Sequence, residues 1–240
     1  MGYREFPPPT RLRELVECAW ILDGPAESVR VLPDGCMDLI RLNDRIVVAG
    51  PDTTAFVSLR DREPFVGLRF RPGALPRVLG VPAAELRNSR VPLNELRMVV
   101  RDRHRSLVEL AAELASDTPA AETAPWSLPL LTHVTRSLGA GEAVTEVAQQ
   151  IGWSSRTLQR QCAAVYGYGP AMLRRILRFR RAVRLLHDGS PYVEVAAHAG
   201  YADQPHLHRE VRDLAGVSLS QLASGANRST EVPSGSSTVA

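Results

Sequence analysis

Apolar positions follow two different rhythms along this chain. Through the first 70 residues they come in short runs rich in β-formers, at 18–22, 29–32, 37–40, 45–49, 55–59 and 65–70. Turn-forming triplets such as Asp23-Gly24-Pro25, Pro33-Asp34-Gly35 and Gly50-Pro51-Asp52 separate them. Six strands at this spacing predict a small antiparallel β-barrel or sandwich. From Gly73 the rhythm becomes helical, over 73–79 and 83–87 and then over a long segment, 93–115. That segment carries Leu93, Leu96, Val100, Leu107, Leu110 and Leu114 close to a heptad spacing. Such a stripe has to be buried, either against the chain's own β-region or against its twin in a second copy.

Further on, the pattern repeats itself. Glu146-Val147-Ala148-Gln149-Gln150-Ile151-Gly152-Trp153 returns as Glu194-Val195-Ala196-Ala197-His198-Ala199-Gly200-Tyr201 at an offset of 48, and beyond the aromatic the offset becomes 49, pairing Leu158 with Leu207 and Gly167 with Gly216. A one-residue insertion there belongs in a turn, so each copy reads as helix, turn opening at glycine, second helix, closing glycine. Ser154 and Asp203 fall at equivalent positions and suit N-caps, while Pro205 sits in the first turn of its helix. Leu158 with Cys162, and Leu207 with Val211, give each second helix an inward face. The outward residues are Ser155, Arg156, Thr157, Gln159 and Arg160 in the first copy, and Gln204, His206, His208 and Arg209 in the second. Arg and Gln can pair with guanine and adenine edges, and Ser, Thr and His can reach bases or phosphates.

Charge adds to this picture. Eight Arg and no acid lie between Ser154 and His187; residues 127–223 carry 11 Arg against 7 acids, whereas 1–126 carry 17 Arg against 18. The basic stretch is either an electrostatic footprint for a polyanion or the solvated side of an amphipathic helix over 170–187. All 29 basic residues of this 240-residue chain are Arg, a bias that fits a GC-rich coding preference. Three widely spaced cysteines, Cys18, Cys36 and Cys162, suit free thiols in a reducing compartment. With no long apolar span and no leader-like start, a cytoplasmic location is expected.

Residues 126–223 resemble the DNA-binding domain of AraC-family bacterial transcription regulators, on Gly152-Trp153-Ser154-Ser155-Arg156-Thr157-Leu158-Gln159-Arg160, Gly167-Tyr168-Gly169-Pro170 and Gly200-Tyr201-Ala202-Asp203-Gln204-Pro205-His206-Leu207. The resemblance implies two helix-turn-helix units joined by a central helix over 170–187, with two recognition helices in successive major grooves of double-stranded DNA. It also implies RNA polymerase as a partner if the protein activates. Gly169 replaces the family's usual Ser or Thr, and His206 and His208 stand where smaller polar residues are common. The front half, through Pro33-Asp34-Gly35-Cys36-Met37-Asp38-Leu39-Ile40 and Gly67-Leu68-Arg69-Phe70-Arg71-Pro72-Gly73, resembles an uncharacterised, cupin-like domain found ahead of such DNA-binding domains. That resemblance points to a small-molecule effector or to homodimerisation.

The expected organisation is therefore α+β and multidomain: a β-rich sensor over 1–117, a linker over 118–125, an all-α double helix-turn-helix domain over 126–223, and a disordered tail over 224–240. No enzyme chemistry is expected. Before His133 the only histidine is His104, too few ligands for a metal, and no cofactor is implied. Cys36, between Asp34 and Asp38, has no nearby base and reads as a small buried residue beside a turn. Arg69 and Arg71, at alternate positions of one strand, either meet an anionic ligand inside a barrel or are solvated at an edge. A non-specific architectural DNA binder, and an enzyme or ligand carrier that retains a basic helical module, are the alternative readings.

Overall fold

The computed structural model describes residues 2–24, 28–59, 63–98 and 105–224, and the backbone of 231–232. Its N-terminal part is built on an antiparallel sheet of β1 (Tyr3–Phe6), β2 (Val16–Leu22), β4 (Met37–Leu42), β5 (Arg45–Ala49), β7 (Phe65–Phe70) and β8 (Arg90–Pro92), in the order β1-β2-β7-β4-β5-β8. A second sheet pairs β3 (Ser28–Val31) with β6 (Phe56–Leu59) on one side and with β9 (Glu231–Val232) on the other. Among the described residues no strand pairing joins the sheets, so of the two expected forms, barrel and sandwich, the chain takes two facing sheets and not a closed barrel. β1 and β8 escape the sequence reading because neither is an apolar run: Tyr-Arg-Glu-Phe is half charged, and Arg-Val-Pro ends in a residue with no amide to donate.

Strand alternation assigns each face a partner. Met37, Leu39, Val48, Leu68 and Phe70 join Leu75, Val78 and Leu79 of α1 (Ala74–Leu79) in one core. On the opposite face Trp20 and Leu22 pack with Val29 of the second sheet. Trp20 lies against Gly67, where an added Cβ would come within 2.3 Å of the indole.

The long helix expected over 93–115 is not continuous. α2 (Leu93–Leu96) ends at Arg97, whose φ of −143° and ψ of 140° are extended, and α3 (Leu107–Leu114) starts afresh from a capping box of Ser106 and Glu109. Val100 and His104 lie outside the described residues. Leu93, Leu107, Leu110 and Leu114 are buried in the first core and Leu96 packs against it, so those leucines face their own sheet, not a twin. Most of the expected tail, 224–240, also falls outside the described residues.

The C-terminal part is helical: α4 (Leu128–Ala140), α5 (Val144–Gln150), α6 (Ser155–Tyr166), α7 (Pro170–His187), α8 (Tyr192–Ala199), α9 (Gln204–Ala215) and α10 (Leu219–Ala223). It holds two cores, one around α4, α5 and α6, and one around α8, α9 and α10. α7 contributes Leu173 and Ile176 to the first and Phe179, Val183 and Leu186 to the second. One rigid helix thereby fixes the two units relative to each other.

The N-terminal part is seated on this helical body. Leu32, just after β3, is buried in the second helical core. The Ala55 amide donates to Leu214 O at 2.7 Å, and Arg30 Nη1 donates to Ala215 O at 3.0 Å. Both acceptors are carbonyls of the last turn of α9, which have no partner within their own helix. Gly73, at φ 78°, sits where an added Cβ would come within 2.6 Å of Val165 on α6. Arg180 of α7 forms an ion pair with Glu17 of β2, and its Nη1 lies 3.7 Å from Cys36 Sγ.

Candidate nucleic-acid interface

Each repeat copy folds into a helix, a turn and a second helix. The first of these turns opens at Gly152 (φ 70°) and the second at Gly200 (φ 84°), a left-handed backbone that side chains disfavour. Two residues carry the chain from Gly152 to the N-cap Ser154, and three from Gly200 to the N-cap Asp203, which places the inserted residue in the turn. Ser154 Oγ accepts from Thr157 N at 3.1 Å and Asp203 Oδ1 from His206 N at 2.6 Å. α6 and α9 stop at Gly167 and Gly216, again left-handed. Leu158, Cys162, Leu207 and Val211 are fully buried.

The polar faces of the two second helices differ. On α6, Ser155, Arg156, Gln159 and Arg160 are exposed and Thr157 is half-buried, and among the described residues neither arginine forms an ion pair. These side chains are available to a partner. On α9, His208 and Arg209 are exposed, while Gln204 and His206 are half-buried. His206 meets the Tyr201 ring edge-on at 5.2 Å and its Nδ1 lies 3.4 Å from the Ala202 amide. Gln204 Nε2 lies 3.3 Å from His208 Nε2. His206 thus braces its own turn, which leaves His208 and Arg209 as the outward pair.

The basic run resolves in a way neither sequence alternative foresaw. Arg175 donates to Glu210 Oε1 at 2.7 Å and to Asp213 at 3.1 Å; Arg178 reaches the other Glu210 oxygen at 3.3 Å and lies 4.5 Å over the Tyr201 ring. Arg181 donates to Gly139 O at 2.8 Å, and Arg180 pairs with Glu17. Four of the eight arginines therefore tie α7 to neighbouring elements, and Arg156, Arg160, Arg174 and Arg184 keep the outward charge. Glu210, nearly buried on α9, is a structural residue the sequence reading missed, because its partners lie 32 and 35 positions away.

Between the two sheets of the N-terminal part lies a cavity of about 170 Å³, lined on one side by Trp20, Ile40 and Val47 and on the other by Val29 and Phe56. Arg69 reaches it and is buried in the middle of the sheet. Its Nη1 lies 3.3 Å from Glu5, and its Nε lies 3.4 Å from both Asp34 and Asp38. It is neither at an edge nor solvated. Arg71 lies beyond the end of β7 and donates to Arg13 O, outside the cavity, so the two arginines do not form one site. Arg90 is the second guanidinium in the cavity, bonded twice to Asp52 at 2.9 and 2.6 Å. Cys36 is buried, and burial followed by the Asp34 and Glu17 charges pushes its thiol well above the usual range. That leaves it a neutral thiol, as a small structural residue should be. Among the described residues no group of three or more His, Cys, Asp or Glu is placed to hold a metal ion, and no helix is long and apolar enough to cross a membrane.

Residues 134–224 match a helix-turn-helix domain family, and residues 4–92 match a domain of unknown function (DUF6597). The matched helical region contains both units described above. The C-terminal part is an AraC-type helix-turn-helix DNA-binding domain. The protein is accordingly a DNA-binding transcription regulator, with a β-rich N-terminal part ahead of that domain. Curated proteins yield no significant match. Among solved structures, ToxT from Vibrio cholerae is similar at 8% identity with a TM-score of 0.49, over 93% of this chain and 98% of that one. An unsaturated-fatty-acid-bound ToxT is similar at 9% and 0.44, over 93% and 95%. A likeness this remote says nothing about the ligand or operator of the present protein.

Proposed function

We propose that this regulator reads a defined operator with both second helices and that a small molecule held in its N-terminal half sets the operator affinity. The observation that carries the first part is the outward face of α6, where Arg156, Gln159 and Arg160 stand exposed without an ion-pair partner while Arg175, Arg178, Arg180 and Arg181 of α7 are committed internally. Ser155 and Thr157 accompany them. His208 and Arg209, with Gln204 beside them, form the second reading surface, and His206 holds its turn. The cavity supports the second part, since its outer wall continues directly into Leu32, Ala55 and Arg30, which grip α9. In this reading the work divides near 118–125, the protein acts in the cytoplasm without catalysing a reaction, and it contacts RNA polymerase where it activates. With the leucine stripe committed to its own core, self-association rests on the resemblance of the N-terminal half alone.

Footprinting of the purified protein on a selected operator should show two protected blocks about one helical turn, roughly 10 bp, apart per protomer. A single block, insensitive to base changes on its far side, would leave α9 gripping phosphates only. Protection without any fixed position would instead favour an architectural DNA binder.

A further inference from the structure

We propose that the cavity between the two sheets takes a compact apolar molecule carrying a protonated amine and selects against carboxylates. This rests on the effector reading above and adds the chemistry of the head group. At about 170 Å³ the cavity has the size of one that holds a benzene ring, so the ligand is one ring with a short chain. Trp20, Phe56 and Phe65 with Ile40 and Val47 supply the apolar wall.

The charge inventory decides the head group. Asp34, Asp38 and Asp52 line the cavity against Arg69 and Arg90: three carboxylates to two guanidiniums, a surplus of one negative charge before Glu5, which also lies on Arg69, is counted. Both guanidiniums are engaged. Arg90 holds Asp52 through two hydrogen bonds, donates to Ser89 O and lies 4.3 Å over the Phe56 ring, while Arg69 is flanked by Glu5, Asp34 and Asp38. An entering carboxylate would have to displace one of these acids and then sit among like charges with little water to screen them. An ammonium meets the surplus instead. Asp38 is the group that gains most: burial pushes its pKa up to about 6, with Arg69 opposing and Asp34 adding to the rise. It accepts from Trp20 Nε1 at 3.2 Å and shares its Arg69 partner with Asp34 and Glu5, so a cation beside it would add compensation that Arg69 divides three ways.

The test is titration calorimetry of the full chain with phenethylamine, phenylacetate and 2-phenylethanol, three similar bodies with different heads, at a pH above the Asp38 value. The amine should bind about ten-fold or more tighter than phenylacetate. Asp38→Asn should lower amine affinity by about ten-fold and leave 2-phenylethanol unchanged. Ser58→Phe, which fills the cavity from β6 without touching a charge, should abolish binding of all three. Phenylacetate binding as tightly as the amine, and lost in Ser58→Phe, would keep the cavity as the effector site and overturn the head-group assignment. No binding by any probe, or binding indifferent to Ser58→Phe, would overturn both. The comparison on the unaltered protein decides the head group even if Asp38→Asn fails to fold.

Discussion

Arg160 and Arg181 carry the same charge on neighbouring helices, and their surroundings give them opposite roles. Arg181 spends its guanidinium on Gly139 O, joining α7 to the end of α4. Arg160 is exposed and forms no ion pair among the described residues, so its guanidinium is not spent within them. Replacing Arg160 with Ala should cost about 1–3 kcal/mol at the cognate operator and much less on random DNA. Equal losses in a paired binding titration would assign it to phosphate contact. The sequence marks Arg160 through its position between Leu158 and Cys162, a local signal. Nothing local marks Arg180, whose partner Glu17 stands 163 positions earlier. Long-range pairing is what a one-dimensional pattern leaves out.

Among the elements, the joint between α7 and α9 shows how the second unit keeps its angle. Glu210 accepts from both Arg175 and Arg178 in a partly buried site, so Glu210→Gln would leave two partly desolvated guanidiniums with a weaker acceptor. The loss should be about 1–3 kcal/mol in urea unfolding. Asp213, which is largely exposed, shares Arg175 but is screened by water, and Asp213→Asn should cost well under 1 kcal/mol. Similar losses for both would show that the joint is held by apolar packing alone. Elements with strong periodicity and caps were legible in advance: α6, α7 and α9 begin and end within a residue of where their Ser, Pro, Asp and Gly punctuation puts them. The helix expected over 93–115 failed for a different reason. Its leucine spacing records which residues face the core, and α2 and α3 satisfy that requirement as separate pieces, so the stripe is real although the helix is interrupted.

At the scale of the molecule, the two parts are not beads on a string. Leu32 buried in the helical core, Gly73 against α6 and the Glu17–Arg180 ion pair make a continuous seam, and two of the open carbonyls of α9 are satisfied from across it. Separate cooperative units would melt separately. With this seam, differential scanning calorimetry of the full chain should show one endotherm, and two resolved peaks would mean that the halves fold independently. The two-part organisation was visible in the repeat at an offset of 48 and in the basic stretch, both confined to the C-terminal part. The seam was not, because it depends on half-buried arginines and main-chain groups that leave no periodic trace.

The contacts of that seam fall into two kinds. The hydrogen bond from Ala55 N to Leu214 O joins main chain to main chain and would survive almost any exchange of side chains. Glu17 with Arg180 is a matched couple, and a descendant that inherits one without the other is left with a nearly buried, uncompensated charge. Recombination that grafts this N-terminal half onto a foreign DNA-binding part therefore meets a permissive lock and a selective one. Chimeras joined in the 118–125 stretch should be recovered chiefly where the incoming central helix brings its own arginine at the position of Arg180.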